Sequence, residues 1–261
     1  MRTRHPYLDG PHPRAFAHRG WHVGELAGME NAMSAFRRAV AEGYHYLETD
    51  VHATADGVVV VHHDPVLDRT TDGRGPVAAQ PWRRVSRARI GGREPVSRLE
   101  EVLEELPDTH LNVDVKADSA VAPVLRTLAR TNSWHRVCLA SFDERRLTRL
   151  RRAGGPRLIT SLGPRSAGAL WAGARLRGLA PRRVVRGQLA QLPRRHGRLT
   201  LVDRRLVRLA HRWGLEVHVW TVDRPAEMGA LLDLGVDGLV TDRPDRLREV
   251  LRARGHWPAT V

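Results

Sequence analysis

Between residues 46 and 64 the chain reads YLETDVHATADGVVVVHHD, with polar positions alternating against apolar ones before four valines run together; this predicts two strands joined by a turn. Strand side chains alternate faces, so Glu48 and Asp50 share one wall while Leu47, Thr49 and Val51 share the other. A half-exposed strand with a solvated acidic face is the plainer reading. It fits poorly beside Tyr44, Tyr46 and the valine run, which mark a strand covered on both sides. Too few residues separate Val51 from Val58 for a parallel crossover, so residues 58–63 are expected to fold back as a hairpin turned at Ala55, Asp56 and Gly57.

Elsewhere the pattern alternates between strand and helix periods. Residues 15–18 read as a short strand ending at Arg19 and Gly20, and residues 30–42 as a helix with Asn31 as its N-cap and Gly43 as its stop. Residues 65–95, rich in Gly, Pro, Arg and Thr, read as a long loop. A helix over 97–106, with Ser97 and Glu100 spaced as a capping box, precedes a strand over 111–116 that sets Asn112, Asp114 and Lys116 on one face. Strands are then expected at 136–141, 157–160, 184–192, 216–221 and 238–241, and helices at 120–130, 144–152, 167–179, 203–213, 224–234 and 244–254. Without the hairpin this makes eight strand-helix units, the arithmetic of a (β/α)8 TIM-like barrel with a β-hairpin excursion after its second strand. Residues 1–14, with three prolines and no periodicity, are expected to be a surface arm, and residues 15–261 a single barrel domain.

Composition changes this picture little. The 261 residues contain no apolar run long enough for a membrane span, and MRTRHPYLDGPHPRAFAHRG lacks the apolar stretch of a signal peptide, so a soluble, cytoplasmic chain is expected. Cys138, the sole cysteine, leaves no intrachain disulfide. Lys and Arg number 43 against 29 Asp and Glu, a balance that ordinarily points to nucleic acid or an anionic surface. Nearly all of that charge is arginine, Lys116 being the only lysine, and it is scattered in pairs such as Arg37–Arg38 and Arg145–Arg146 without the interleaved aromatics that stack on bases. A solvated basic surface with no specific nucleic-acid partner is the reading adopted.

A closed barrel gathers the C-terminal ends of its strands at one mouth, where His18, Glu48, Asp50, Asp114, Lys116 and Trp220 stand. Three carboxylates with no cysteine cluster and no close pair of ligating histidines favour a hard divalent cation, Mg2+ or Ca2+, over zinc. Such an ion polarises a phosphoryl oxygen, and Arg19 and Lys116 add charge suited to phosphate, so an anionic phosphoester is the expected substrate class. His18 and His63 are candidates for a general acid and base pair; His62 is expected to face away.

The residues just quoted belong to an ordered set: AHRG at 17–20, Glu30 with Asn31, LETDV, DGVVVVHHD and LDRTTDGRG within 47–75, NVDVK at 112–116, ASF at 140–142, then VHVWTV and LGVDGLVTDRPD. Collinear from Ala15 to about Val250 and weak only across 164–198, the set resembles the glycerophosphodiester phosphodiesterase family. The resemblance implies a TIM-like barrel that hydrolyses glycerophosphodiesters, by a metal-dependent route, to glycerol 3-phosphate and an alcohol. It assigns metal ligation to Glu48, Asp50 and Asp114, acid-base work to His18 and His63, phosphate contact to Arg19 and Lys116, and a pocket wall to Trp220; Asn31 is expected to support the site, and Glu30 is left without a role. The third ligand in the family is usually glutamate; Asp114 is shorter by one methylene, about 1.5 Å of reach.

Two alternatives stand beside this one. Cleavage of lysophospholipids needs an apolar entry for an acyl chain, and the stretch 169–179 is the candidate for a weak membrane-surface contact, against the plainer reading of a barrel helix facing the core. From another class comes a basic nucleic-acid-binding protein, or a phosphodiester-binding protein without turnover, which the acidic mouth and the retained His18 and His63 argue against.

Overall fold

The computed structural model describes residues 5–176 and 182–257. Among them, eight parallel strands form the barrel: β1 (Arg14–His18), β2 (Tyr46–Ala53), β3 (His110–Val115), β4 (Val137–Ala140), β5 (Ile159–Thr160), β6 (Leu189–Pro193), β7 (Glu216–Trp220) and β8 (Gly238–Thr241). They lie side by side in the order β5-β4-β3-β2-β1-β8-β7-β6. The two ends of that row meet only at the bridge between Ser161 and Leu189, flanked by Leu162 N–H donating to the Leu189 carbonyl at 2.8 Å and Gln188 N–H to the Thr160 carbonyl at 3.0 Å. Gly187 makes this closure possible: at φ +111° a Cβ here would stand 2.6 Å from the Ser161 carbonyl oxygen.

Each strand is followed by a helix: α1 (Met33–Ala41), α2 (Leu99–Glu105), α3 (Val121–Arg130), α4 (Glu144–Gly154), α5 (Pro164–Arg175), α6 (Arg204–Arg212), α7 (Pro225–Leu234) and α8 (Pro244–Ala253). Asp143 and Asp203 cap α4 and α6 by accepting from the Arg146 and Leu206 amides, and proline opens α5, α7 and α8, where a missing N–H costs nothing. The inward faces of these helices close over the outer faces of the strands to form the main core.

Three local expectations are corrected. Asn31 is not a helix cap: it sits in the left-handed region at φ +63°, the α1 N-cap is Ala32, and the Asn31 side chain points into the barrel mouth. The capping box belongs one residue later, where Glu101 accepts the Arg98 amide at 2.8 Å while Ser97 lies buried with its carbonyl bonded to Val61. The sixth strand begins at Leu189, since Arg182–Val184 forms a single helical turn. For the helix expected over 167–179, α5 begins at Pro164 and residues 177–181 lie outside the described part.

The described part of the expected arm is anchored to the barrel by one buried side chain. Residues 5–13 lie across the N-terminal end of the barrel, with Tyr7 fully buried among Phe16, Tyr46, Cys138, Ile159 and Leu189. Arg14 explains why the end must be covered. Its buried guanidinium holds both oxygens of Glu216, at 2.6 and 2.8 Å, and donates to the Tyr46 hydroxyl and the Leu8 carbonyl, so the arm supplies an acceptor that a buried cation needs.

After β2 the chain makes the expected excursion, with Val59–Val61 antiparallel to the end of β2 and Val51 opposite Val61. The stretch that follows is not loose. Leu67, Val77, Val85, Ile90 and Val96 pack with Met29 and Ala32 into a second, smaller core that ties the excursion to the rim above β1.

Candidate active site

Parallel pairing in register brings the mouth residues together. His18 stands opposite Glu48, and Asp50 opposite Asp114, so the ends of β1, β2 and β3 present one acidic wall. His18, Arg19, Glu48, Asp50, His63, Asp114, Lys116 and Trp220 all line one cleft of about 580 Å3. Asn31 stands behind it: its Nδ2 donates to Asp50 Oδ2 at 3.3 Å and its Oδ1 accepts from Thr49 at 2.7 Å. His62 turns away as expected and meets the Val66 carbonyl at 2.9 Å.

The wall is electrostatically divided. Lys116 Nζ lies between Asp50 Oδ1 at 2.8 Å and Asp114 Oδ2 at 2.7 Å. Burial disfavours the Asp50 carboxylate, but Lys116 and Arg19 more than offset it and hold its pKa below the ordinary range. Arg19 Nε is 3.2 Å from Asp50 Oδ2 without hydrogen-bond alignment. Glu48 is helped less: burial first, then the neighbouring Asp50 charge, outweigh His18 and Lys116, which favour its charge, and push its pKa up to about 8. Burial also raises Asp114. Glu48 Oε2 and Asp114 Oδ1 are both buried without a hydrogen-bond partner.

The two histidines are oriented from behind. His18 Nδ1 meets Asp242 Oδ1 at 2.6 Å, leaving Nε2 toward the cleft, 3.6 Å from Glu48 Oε2. Burial opposes the imidazolium, yet Glu48 and Asp242 raise the His18 pKa above its usual value. His63 Nδ1 meets Asp64 Oδ1 at 2.6 Å, and Arg69 bridges Asp64 to Glu30, which holds Arg19 at 3.0 Å. Asp242, Asp64, Glu30 and Arg69 are therefore the residues that motif reading left without a role. Asp242 directly follows β8, a strand end at the same mouth, and that placement is the signal that could have found it.

Opposite the acidic wall the cleft is apolar, lined by Ala140, Phe142, Leu162, Pro164, Ala167 and Leu192. Phe142 meets Trp220 edge-on at 5.4 Å and lies 5.7 Å from Lys116 Nζ.

The donor set fits a hard cation. Glu48, Asp50 and Asp114 lie on one wall, and one oxygen each of Glu48 and Asp114 is buried without a hydrogen-bond partner, a costly state that a cation would relieve. Among the described residues no group of His, Cys, Asp or Glu forms a ready-made metal cage, the Lys116 ammonium lying between two of the three carboxylates instead.

This arrangement has close relatives. The model of the glycerophosphoryl diester phosphodiesterase family matches residues 18–246. The chain belongs to that family. It is 42% identical to Probable glycerophosphodiester phosphodiesterase 2 of Mycobacterium tuberculosis over 93% of this chain and 92% of that one. A crystal structure from Silicibacter pomeroyi superposes with a TM-score of 0.80 at 28% identity, covering 98% of this chain and 100% of the other. A phosphodiesterase of Oleispira antarctica in complex with the product sn-glycerol-3-phosphate shares the fold, with a TM-score of 0.75 at 20% identity over 92% and 97% of the two chains. Family membership accounts for both the (β/α)8 barrel and the hydrolase chemistry expected of its mouth. No helix among the described residues is long and apolar enough to cross a membrane. Of the stretch 169–179, Leu170 packs into the core and Trp171 donates to the Thr200 carbonyl, while Leu176, at the end of α5, is exposed.

Proposed function

We propose that the chain hydrolyses glycerophosphodiesters, releasing glycerol 3-phosphate and an alcohol, with a divalent cation held by Glu48, Asp50 and Asp114. The observation that carries this reading is the pair of buried carboxylate oxygens without a hydrogen-bond partner, Glu48 Oε2 and Asp114 Oδ1, beside a histidine whose Nε2 faces the same space. When bound, Mg2+ or Ca2+ supplies Lewis acidity to a phosphoryl oxygen and neutralises the charge that builds there.

The chain's own groups do the rest. Arg19 and Lys116 bind and orient the phosphodiester. His18 and His63, each with Nδ1 tied to a carboxylate, present Nε2 for proton transfer: one imidazole takes the proton from the attacking oxygen and the other gives a proton to the departing alkoxide as the P–O bond breaks. Asn31 keeps Asp50 aimed at the mouth. Trp220 and the apolar wall receive the alcohol portion. The residues 15–261 act as one catalytic unit, with the 5–13 segment as its floor.

The test is release of glycerol 3-phosphate from glycerophosphocholine and glycerophosphoethanolamine with Mg2+, Ca2+ or EDTA. Metal-dependent turnover that His18→Ala abolishes is expected. Turnover undiminished by EDTA and by the variant refutes the assignment. A lysophospholipid arm measures how far the apolar wall admits an acyl chain.

A further inference from the structure

The loops after β4, β5 and β6, with the first turns of α4 and α5, form one sector of the barrel mouth beside the apolar wall of the cleft, and their charges are unusually free. Arg145, Arg165, Arg195 and Arg198 are exposed, and none of their side chains makes an ion pair or hydrogen bond among the described residues. The nearby acids are committed elsewhere: Asp143 caps α4, Glu144 holds the Arg165 amide and Arg151, Asp118 pairs with Arg146 and Arg149, and Glu227 pairs with Arg194. Two large apolar side chains stand out among these cations, Phe142 at 65% exposure and Leu199 at 45%. Leu199 belongs to a short hairpin in which Arg195 pairs with Thr200 and His196 with Leu199, turned at Gly197 with φ +57°. The base of that hairpin is fixed, because Trp171 and Arg175 both donate to the Thr200 carbonyl. Its tip is not packed: residues 194–199 are all exposed. His196 and Phe142 also line the cleft, so this rim and the cleft share an opening.

We propose that this sector docks on an anionic phospholipid bilayer, Leu199 and Phe142 entering the interface while Arg145, Arg165, Arg195 and Arg198 meet lipid phosphates. A solvated basic surface explains isolated arginines; it does not explain exposed apolar side chains set among unpaired ones at the edge of a cleft. Bilayer interfaces favour that combination, since apolar tips gain burial and each nearby cation gains attraction to the negative leaflet. The basic cluster on the excursion, Arg74, Arg83, Arg84 and Arg87, provides an internal contrast: it has comparable charge but no large exposed apolar residue.

The experiment is sedimentation of the full chain with vesicles of phosphatidylcholine alone and of phosphatidylcholine mixed with phosphatidylglycerol, at low and at physiological salt. Wild type is expected on the mixed vesicles only, and less at higher salt. Losing two cationic contacts at roughly five-fold each lowers partitioning roughly 25-fold in the Arg195→Gln/Arg198→Gln double variant. Leu199→Asp is expected to weaken binding as well. Arg83→Gln/Arg87→Gln, which removes the same net charge from the excursion, is expected to bind as wild type. Thermal unfolding of each variant checks the fold independently of any activity. Equal losses in the two double variants would reduce the effect to net charge and overturn the proposal, as would equal binding to both kinds of vesicle. Wild-type binding to duplex DNA that exceeds vesicle binding and depends on Arg195 and Arg198 would reassign the rim to nucleic acid.

Discussion

Tyr7 allows the floor of the barrel to be tested with two substitutions of opposite sign. Its ring is fully buried, edge-on to Tyr46 at 5.5 Å and to His110 at 5.7 Å. A buried aromatic ring removes roughly 150–250 Å2 from water, which at about 25 cal/mol per Å2 is ~4–6 kcal/mol, and large-to-small replacements of this kind cost about 3–5 kcal/mol. Tyr7→Ala is therefore expected to destabilise by about 4 kcal/mol, a fall in Tm of roughly 8–16 °C at 2–4 °C per kcal/mol for a chain of this size. The hydroxyl behaves differently. Tyr7 Oη is buried with no hydrogen-bond partner, and burial pushes its pKa well above the usual phenol value, so an uncompensated polar group is being held in the core. Tyr7→Phe removes that group and leaves the ring, so it is expected to be neutral or to stabilise by up to about 1 kcal/mol, a rise in Tm of up to roughly 4 °C. Thermal unfolding followed by circular dichroism reads both. If Tyr7→Ala changed Tm by less than about 2 °C, the segment would not be part of the fold; if Tyr7→Phe lowered it by as much as the alanine variant, the hydroxyl and not the ring would carry the interaction.

Three further outcomes are expected. Asp242→Asn keeps the shape behind His18 but removes the charge that orients its Nδ1, so kcat should fall roughly 10²-fold or more with little change in KM; a KM effect alone would place Asp242 in substrate binding. Asp114→Glu lengthens the ligand by about 1.5 Å and, with Asp114 Oδ1 partnerless at present, should lower the Mg2+ or Ca2+ concentration needed for half-maximal turnover; an increase would argue that the shorter residue is matched to this site. Glu216 is a stability probe: burial opposes its charge, but Arg14 and His218 hold its pKa well below the ordinary range. A depressed carboxylate stabilises the fold above its unfolded pKa and loses that contribution as pH falls, so the Tm gap between wild type and Glu216→Gln should be widest near neutrality and narrow below about pH 4.5. A gap that widened on acidification would contradict the ion pair.

Much of the architecture was legible because the barrel strands carry strong local signals. Four consecutive valines and the alternation around Glu48 and Asp50 specify β2 and its hairpin before any tertiary contact is known. What escaped depended on distance along the chain. Asn31 looks like a helix N-cap locally, yet its partners Thr49 and Asp50 lie on the next strand, and it sits in the left-handed region, where an N-cap is extended. Asp242 and His18 are 224 positions apart and meet only because β1 and β8 are neighbours. Residues 5–13 have a loop's composition, and only the buried Arg14 guanidinium shows why they must cover the barrel end. The sixth strand started later than its apolar run suggested, because Val185 packs from a turn outside the sheet.

The weak join between β5 and β6 has a consequence for how such a barrel diversifies. Ser161 and Leu162, at that join, line the apolar half of the cleft, while the acidic half rests on the long β2 and β3 ladder, six residue pairs deep from Tyr46 to Val51. A shift of one loop at the join widens or narrows that apolar half without moving Glu48, Asp50, Asp114, His18 or His63. On the function proposed above, substitutions at the join are expected to change which alcohol is accepted, and substitutions on the ladder to end turnover.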